Sequence, residues 1–566
     1  MLLWCAIPLS PNTVDSDFWG HVQYGDDFFQ YGLAKTATYT FTAEGYRWIN
    51  HENLCEITFA WLVRNFGAPA VLVLKAFFGL LVIGLIIRSA AARSVSVAIT
   101  AIAVILVAVN LSFYWGMRPQ VFSFTFFAIV IAICERFLSV DTLKNLSTAR
   151  FAGLAAGVTL VFAPWANSHG GFVAGVCVFG LIMLCRLVEA ALKNERQLAA
   201  RFCLLGALAP AATLLNPYGI DLHLWLIESL RVPRPEVTEW HAPAMFAAGA
   251  VKIWVMLILS AMGFAAAGRR QDWAKLIVFL IVVSQAMTHQ RHLPFVAILF
   301  GFWVPQYLQA LASKLATNLN RTDDTQADPA TAVLTSKKAP NLLTIGPLAA
   351  LCILFAIQFG ARLRSVEVPY ARYPVAALQY MADHNIDDSI VVTGEWAQYV
   401  LAVVGARTPS DSGCRVAFDG RFRTCYPQSV VDMHFDFYRG DAPPSLRYRS
   451  PDSPPPNPNR VLEFGRPNLV LVKTSETFAS GILQQSEEWC LLYNDRTAEL
   501  WGRSEVYDQP NSKKYLAASQ RIDHRSNGSS PQTQHQEHTA LWPAAPTRPG
   551  AATAFVSKSG GDNDHD

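Results

Sequence analysis

Over its first 360 residues the chain alternates long apolar runs with short polar connections. The runs fall at roughly 69–88, 94–115, 119–137, 150–165, 171–190, 201–215, 246–267, 275–288, 293–312 and 342–360. Each approaches the length needed to cross about 30 Å of hydrocarbon at about 1.5 Å per residue. The pattern changes after residue 361. Short β-branched runs at 389–393, 415–418 and 468–473, with two more near 491 and 499, alternate with helical periods at 374–385, 396–404, 427–438 and 476–488. That alternation predicts a layered α/β domain. Pro443 to Pro458 reads as a proline-rich loop, and the polar stretch 313–341 as a flexible linker. Beyond about 508 the chain is rich in Ser, Gln, Asn, Asp, Pro and His, a composition that predicts disorder. The expected architecture is an α-helical polytopic membrane protein of about 10–11 transmembrane helices with a C-terminal extracytoplasmic α/β domain. Its expected domains are 1–360, 361–507 and a disordered tail, 508–566.

Composition agrees with that class. Of 566 residues, 52% are hydrophobic and 16% charged, against about 25% charged in soluble domains. The net charge of +3 says less than where the charges lie. Alternate connections carry Arg88 and Arg93; Arg136, Lys144 and Arg150; Arg186, Lys193, Arg196 and Arg201; Arg269, Arg270 and Lys275; and Lys314, Arg321, Lys337 and Lys338. This basic set is expected to face the cytoplasm. The other side then receives 12–53, the turn at Arg118, Trp165 to Gly171, Asn216 to Pro243, Thr288 to His292, and everything after about 361. The expected location is the inner (plasma) membrane, multi-pass. The apolar stretch Met1 to Leu9 is too short to cross. It reads as the tail of a first span rather than as a signal peptide, since it has no basic n-region and no small-residue cleavage site.

Every unusual polar motif of the membrane part thus falls on one side. The first loop there carries Asp15-Ser16-Asp17-Phe18-Trp19-Gly20-His21 and then Trp48-Ile49-Asn50-His51-Glu52. A carboxylate beside the hydrocarbon can act as general base toward a hydroxyl, or hold a divalent cation that binds phosphate. Trp19 can stack on a sugar ring or serve as an interfacial anchor. A solvated acidic loop with an aromatic belt explains one Asp-x-Asp, but not one accompanied by His21, His51 and Glu52. The stretch after Trp48 is amphipathic to Phe66 and predicts a helix along the membrane surface, with Asn50 or Asn53 able to cap it. Arg118 and Arg291 break the basic asymmetry, which anion recognition would justify although snorkelling also places Arg at span ends. His169, in a turn with two glycines, and His292 complete the candidate rim. Glu236, Glu239, Trp240 and His241 lie on the longest loop of the same side. Of ten cysteines most sit in apolar runs; Cys414 and Cys425 either pair or remain free thiols.

Together these segments resemble bacterial members of the GT-C glycosyltransferase superfamily, in particular the multi-span proteins related to protein mannosyltransferases and lipid A arabinose transferases. The likeness rests on Asp-x-Asp-x-Trp-x-His, Trp-x-Asn-His-Glu and the later Arg-Pro-Gln, Asn-x-His-Gly, Asn-Pro-Tyr-Gly and Arg-His turns. It extends to Gly394-Glu395-Trp396-Ala397-Gln398-Tyr399 and Phe418-Asp419-Gly420-Arg421, and so covers roughly 12 to 500. The resemblance implies a transferase that moves a sugar from a polyprenyl-phosphate-linked donor to an acceptor hydroxyl (of a glycan, lipid or protein) at the outer face, with inversion. Its base would be Asp17 or Asp15, Asp17 being preferred. Trp19, His21, His51, Glu52, Arg118, His169, Arg291 and His292 are the expected substrate-binding residues, with Arg118, His169, Arg291 or His292 steadying the departing phosphate. No cofactor is demanded, although a divalent cation is compatible with the acids. The chain departs from the family pattern at Phe18 and Gly20, and in lacking a full first span.

Two other readings stand beside it. A lipid or sugar transporter would place charges within the spans, where Lys75 and Lys252 are the main ones. A non-catalytic envelope scaffold would use Asp419 and Arg421 as a salt-bridged turn or a binding patch. No P-loop, dinucleotide fingerprint, zinc spacing or nucleic-acid signature stands out.

Overall fold

The computed structural model describes residues 1–268, 271–322, 342–523 and 539–544. The chain forms two compact units. One comprises Met1–Pro11, Leu72–Pro217 and Glu239–Arg364; the other comprises Asn12–Val71, Tyr218–Thr238 and Ser365–Asp566.

The first unit is a helical membrane domain. All ten apolar runs are helices: Pro69–Ala92, Val97–Leu111, Gln120–Phe137, Thr148–Ala166, Phe172–Leu192, Arg196–Ala212, Val251–Ala267, Trp273–Thr288, Leu293–Thr322 and Leu342–Arg362. Among the described residues, seven helices are long and apolar enough to cross a membrane, and Trp273–Thr288 is a shorter apolar helix. The predicted linker begins as the continuation of Leu293–Thr322, while 323–341, with Lys337 and Lys338, lies outside the described residues. Buried charges here have partners, as a low-dielectric setting demands. Glu135 pairs with Arg93 and with Lys275 (2.8 Å) and accepts from Trp303 Nε1 (2.9 Å). Both lysines that the sequence places inside spans end on backbone carbonyls: Lys75 on Pro11, and Lys252 on Val109 at 3.1 Å.

The second unit is built on eight strands: β1 (Glu367–Pro369), β2 (Ser389–Val392), β3 (Arg415–Val416), β4 (Leu469–Lys473), β5 (Trp489–Asn494), β6 (Ala498–Arg503), β7 (Ile522–Asp523) and β8 (Thr539–Leu541). Six form one sheet in the order β3-β2-β4-β6-β5-β7. β2 runs parallel to β3 and β4, and β6 runs antiparallel to β4 and β5. Helices Val375–Asp383, Gly394–Val404, Gln428–Tyr438 and Thr477–Gln484 alternate with the strands much as the sequence predicts. Central β4 is buried from Leu469 to Val472 without alternation, as a strand covered on both faces should be. Cys414 and Cys425 are buried and form no disulfide with one another.

Two features differ from the sequence reading. Chain past 507 is not uniformly disordered: β7 joins the sheet edge, and β8 pairs antiparallel with β1. Trp542 then packs on Phe18 (5.2 Å between rings), and the Pro543 carbonyl accepts from Trp19 Nε1 at 3.0 Å. Average composition conceals three or four apolar anchors in a polar tract. Residues 524–538 and 545–566 lie outside the description.

The second difference concerns the first loop, which folds with the α/β domain rather than with the spans. Residues 39–41 extend the sheet at its β3 edge: Tyr39 N–H donates to the Arg407 carbonyl (3.0 Å) and Val416 N–H to the Tyr39 carbonyl (2.9 Å). An exposed edge is thereby covered. The fastening at its centre is a buried ion pair. Arg421 grips Asp419 through Nε (3.0 Å) and Nη2 (2.8 Å) and donates to the Thr38 carbonyl at 2.6 Å. Its guanidinium lies 4.7 Å from the ring centroids of both Tyr24 and Trp48, two loop residues. Tyr426 Oη donates to the second Asp419 oxygen at 2.7 Å. The salt-bridged turn foreseen for Asp419 and Arg421 is present, and it is a clamp.

Two predictions follow from burial. Asp419→Ala leaves an unpaired buried guanidinium and should cost about 3–5 kcal/mol, read as the loss of unfolding free energy in denaturant; a loss within error of zero would contradict the clamp. His434, fully buried and stacked on Phe418 at 4.3 Å, is pushed down to about 3, first by burial and then by Arg439. Below the ordinary value near 6.5 the unfolded chain binds a proton that the folded chain refuses, so stability falls with acidification until about pH 3. Unfolding temperatures at pH 7 and pH 5 should differ more for the native protein than for His434→Leu; equal differences would contradict this.

Candidate functional site

Two helices of the first loop carry the polar cluster. Phe18–Tyr31 begins after Asp17, the N-cap residue, and buries Phe18, Trp19 and Val22 on one side. Asn53–Phe66 begins after Glu52 and ends at Gly67, whose φ of 77° closes the helix with a bond to the Val63 carbonyl. The two pack closely because Gly25 has no side chain: a Cβ there would lie 2.0 Å from the Glu56 carbonyl oxygen. That approach sets Glu56 beside His21.

His21 Nδ1 and Glu56 Oε1 are 3.4 Å apart, and Asn50 Nδ2 donates to Glu56 Oε2 at 2.6 Å. Ligand-type atoms of His21, Glu52 and Glu56 all lie within 4.8 Å of one another, the one such group of three among the described residues. Burial opposes charge on His21. The hydrogen bond with Glu56 and the charges of Glu52, Glu56 and Asp17 outweigh it and hold the imidazole above its ordinary value. Asn50 organises the edge: its side-chain oxygen accepts from Glu52 N–H (3.1 Å), and its own N–H donates to Tyr218 Oη (3.0 Å). Of the two asparagines expected as caps, neither side chain caps the helix, whose N-cap is Glu52. His51 stands 3.9 Å from Glu52 and packs on Trp225 at 5.3 Å. A small cleft beside the cluster is lined by Tyr24, Asp27, Trp48, Asn50, Asn53 and Glu56.

Asp15 and Asp17 do not project side by side from an extended strand. Asp15 Oδ1 accepts from Asp17 N–H (3.0 Å) in the turn that starts the helix, and Asp17 sits one helical turn before His21, whose N–H donates to its carbonyl. The Asp17 carboxylate reaches the α/β domain. A Cβ on Gly420 would lie 2.8 Å from Asp17 Oδ1 and equally from Gln398 Nε2; one on Gly20 would lie 2.2 Å from Gln398 Oε1. Trp19 offers no face to a sugar. It is fully buried between Tyr399 (4.5 Å) and Tyr373 (4.9 Å).

The other candidates belong to the membrane unit. Arg118 pairs with Glu239 (3.0 Å), which also accepts from Gln120 (3.0 Å). Arg291 lies over the Trp240 ring at 4.5 Å, and His292 packs near His289 and Phe295. The neighbouring residues Glu239 and Trp240 thus hold both outlying arginines. His169 Nδ1 accepts from Gly171 N–H (3.0 Å) and therefore from the Ser123 hydroxyl (2.8 Å), which itself accepts from Trp165 Nε1 (2.7 Å). The proton of neutral His169 is consequently on Nε2. Gly171 is required by this packing, since a Cβ would lie 2.5 Å from Ser123 Oγ.

Sequence reasoning missed Glu56, Tyr218 and the positioning role of Gln398. Glu56 had a signal: it follows Glu52 by four residues, the same-face spacing of a helix. Tyr218 and Gln398 lie in the Asn-Pro-Tyr-Gly and Gly394–Tyr399 segments, but nothing local shows that the tertiary fold brings them to the loop.

No protein-family model matches the chain, and no curated protein matches it. Solved structures do. The oligosaccharyltransferase of Archaeoglobus fulgidus in its apo form superposes with a TM-score of 0.52 at 11% identity, over 90% of this chain and 74% of that one. The same organism's oligosaccharyltransferase AglB in complex with an inhibitory peptide and a dolichol-phosphate gives 0.49 at 11%, over 89% and 73%. The mycobacterial arabinofuranosyltransferase AftD gives 0.41 at 13%, over 89% and 39%. The first likeness shows the fold alone, which this chain shares with that oligosaccharyltransferase.

Because Glu56 raises the proton affinity of His21, Glu56→Gln should lower the His21 pKa, read by NMR titration of labelled histidine. An unchanged value would mean that the pair is not formed in solution.

Proposed function

We propose that this chain is a membrane glycosyltransferase that moves a sugar from a polyprenyl-phosphate-linked donor to an acceptor hydroxyl at the outer face of the inner membrane, with its α/β domain on that side. The observation that carries the reading is the convergence of Asp17, His21, Glu52 and Glu56 from two short helices onto one corner of the loop. Folding alone does not call for three carboxylates around one buried imidazole. The fold, the sidedness of the basic residues and the family-like motifs support it.

Asp17 is the proposed base. It takes the proton of the acceptor hydroxyl; the oxygen bonds to the anomeric carbon as the bond from that carbon to the lipid phosphate breaks, and configuration inverts. Gly420, whose missing side chain leaves room for Asp17 Oδ1, lets the carboxylate approach that closely. Asp15 is a positioning residue that holds the turn. Arg118 and Arg291 are proposed for the departing phosphate on the strength of their charge and sidedness, and His169 and His292 as N–H donors of the same expected side.

One imidazole nitrogen and two carboxylates form a donor set that suits Mn²⁺ or Zn²⁺. His21, Glu52 and Glu56 would hold such an ion, and it would supply positive charge toward phosphate oxygens. Asn50, bonded to Glu56, orients that carboxylate.

The reading is tested by sugar transfer from a panel of polyprenyl-phosphate sugars in membranes that contain the protein. Asp17→Asn should lower the rate about 10²–10⁴-fold at unchanged protein level. Equal rates would remove Asp17 from the chemistry, and no transfer from any donor would overturn the proposal. Independently, calorimetric Mn²⁺ binding should be lost in the Glu52→Gln, Glu56→Gln double variant; retained binding would place the ion elsewhere.

A further inference from the structure

The helix Asp221–Arg231 has two apolar faces. Leu222, Leu226 and Ser229 are buried in the second unit. On the opposite side Ile220, Leu224, Ile227 and Leu230 recur at helical spacing, and each is 48–58% exposed. Charged residues occur only on the flanks and at the end, as Asp221, Glu228 and Arg231. One apolar face suffices to seat a helix on a protein, and a second one in water is costly.

Chain continuity indicates what covers it. Residues 213–220 connect this helix to the apolar helix Arg196–Ala212, and after Arg231 the chain enters the candidate span Ala248–Ala267. Leu215, on the connecting stretch, is also exposed. The C-terminal end of the segment thus leads into a candidate span, the N-terminal end follows the apolar run 201–215, and the apolar stripe continues from that run through Leu215. Arg231 and Arg234 lie at its far end, where lipid phosphates would meet them.

We propose that Asp221–Arg231 lies in the head-group layer of the bilayer, with Ile220, Leu224, Ile227 and Leu230 among the acyl chains. Its inner face is tied to the first loop. Trp225 packs on His51 at 5.3 Å, Arg47 pairs with Asp221 at 3.1 Å, and Tyr218, just before the helix, accepts from Asn50 N–H. The helix thus joins the bilayer surface to Asn50 and His51, the two residues that precede Glu52.

The test is a photo-crosslinking amino acid placed singly at Leu224 or Ile227 of the full chain in native membranes, with adducts read by mass. Glu487, exposed on the α/β domain, is the negative control; Ile258, exposed on the candidate span, is the positive one. Because these sites are exposed, the replacements leave the core intact. Phospholipid adducts at Leu224 and Ile227, matching Ile258 and absent at Glu487, are expected. Crosslinks to a second copy or another protein, or no adduct at either site while Ile258 gives one, would overturn the proposal. Neither outcome depends on transferase activity.

Discussion

The seating of the first loop on the sheet depends on one buried cation. Arg421 is sandwiched between Tyr24 and Trp48, neutralised by Asp419 and bonded to the Thr38 carbonyl. A guanidinium removed from water is tolerated only when such partners replace its hydration. The pair therefore does more than close a turn. It fixes three separate points of a long loop, at 24, 38 and 48, against a sheet. Without that fastening the loop would be a polar connection, and its carboxylates would sample many arrangements.

Given the fastening, absent side chains set the remaining distances. Gly25 lets one loop helix reach the backbone of the other, which brings Glu56 to His21. Gly20 lets Gln398 of the α/β domain approach the loop helix, and Gly420 lets Asp17 approach the α/β domain. Carboxylates gathered in this way repel one another, and the cluster offsets the repulsion by raising the proton affinity of His21 and by spending Asn50 on Glu56. A proton and a divalent cation would each offset the same excess of negative charge.

The spans and the α/β alternation were legible because period and run length are local properties: all ten apolar runs and every main strand of the sheet appear where the pattern puts them. The tail was misread because composition averages away a few anchors such as Trp542. The loop's partner was unreadable for another reason. Asp419 and Arg421 look like any turn, and nothing local in Tyr24 or Trp48 shows that they stack on the same guanidinium. Trp19 was misassigned because a tryptophan in an acidic motif looks like a ligand platform until its burial is seen. Glu52 and His21 were found by their neighbours in sequence, whereas Glu56 needed the helix phase as well.

The central claim is that a single carboxylate, Asp17, drives one displacement at the anomeric carbon, and the stereochemistry of the product tests it most directly. A polyprenyl-phosphate sugar of defined anomeric configuration would be supplied to the full-length protein in membranes, and the new glycosidic linkage examined by NMR. Inverted configuration is the predicted result. Retained configuration would require a covalent sugar–enzyme intermediate and two displacements, and would contradict the account of Asp17 as base.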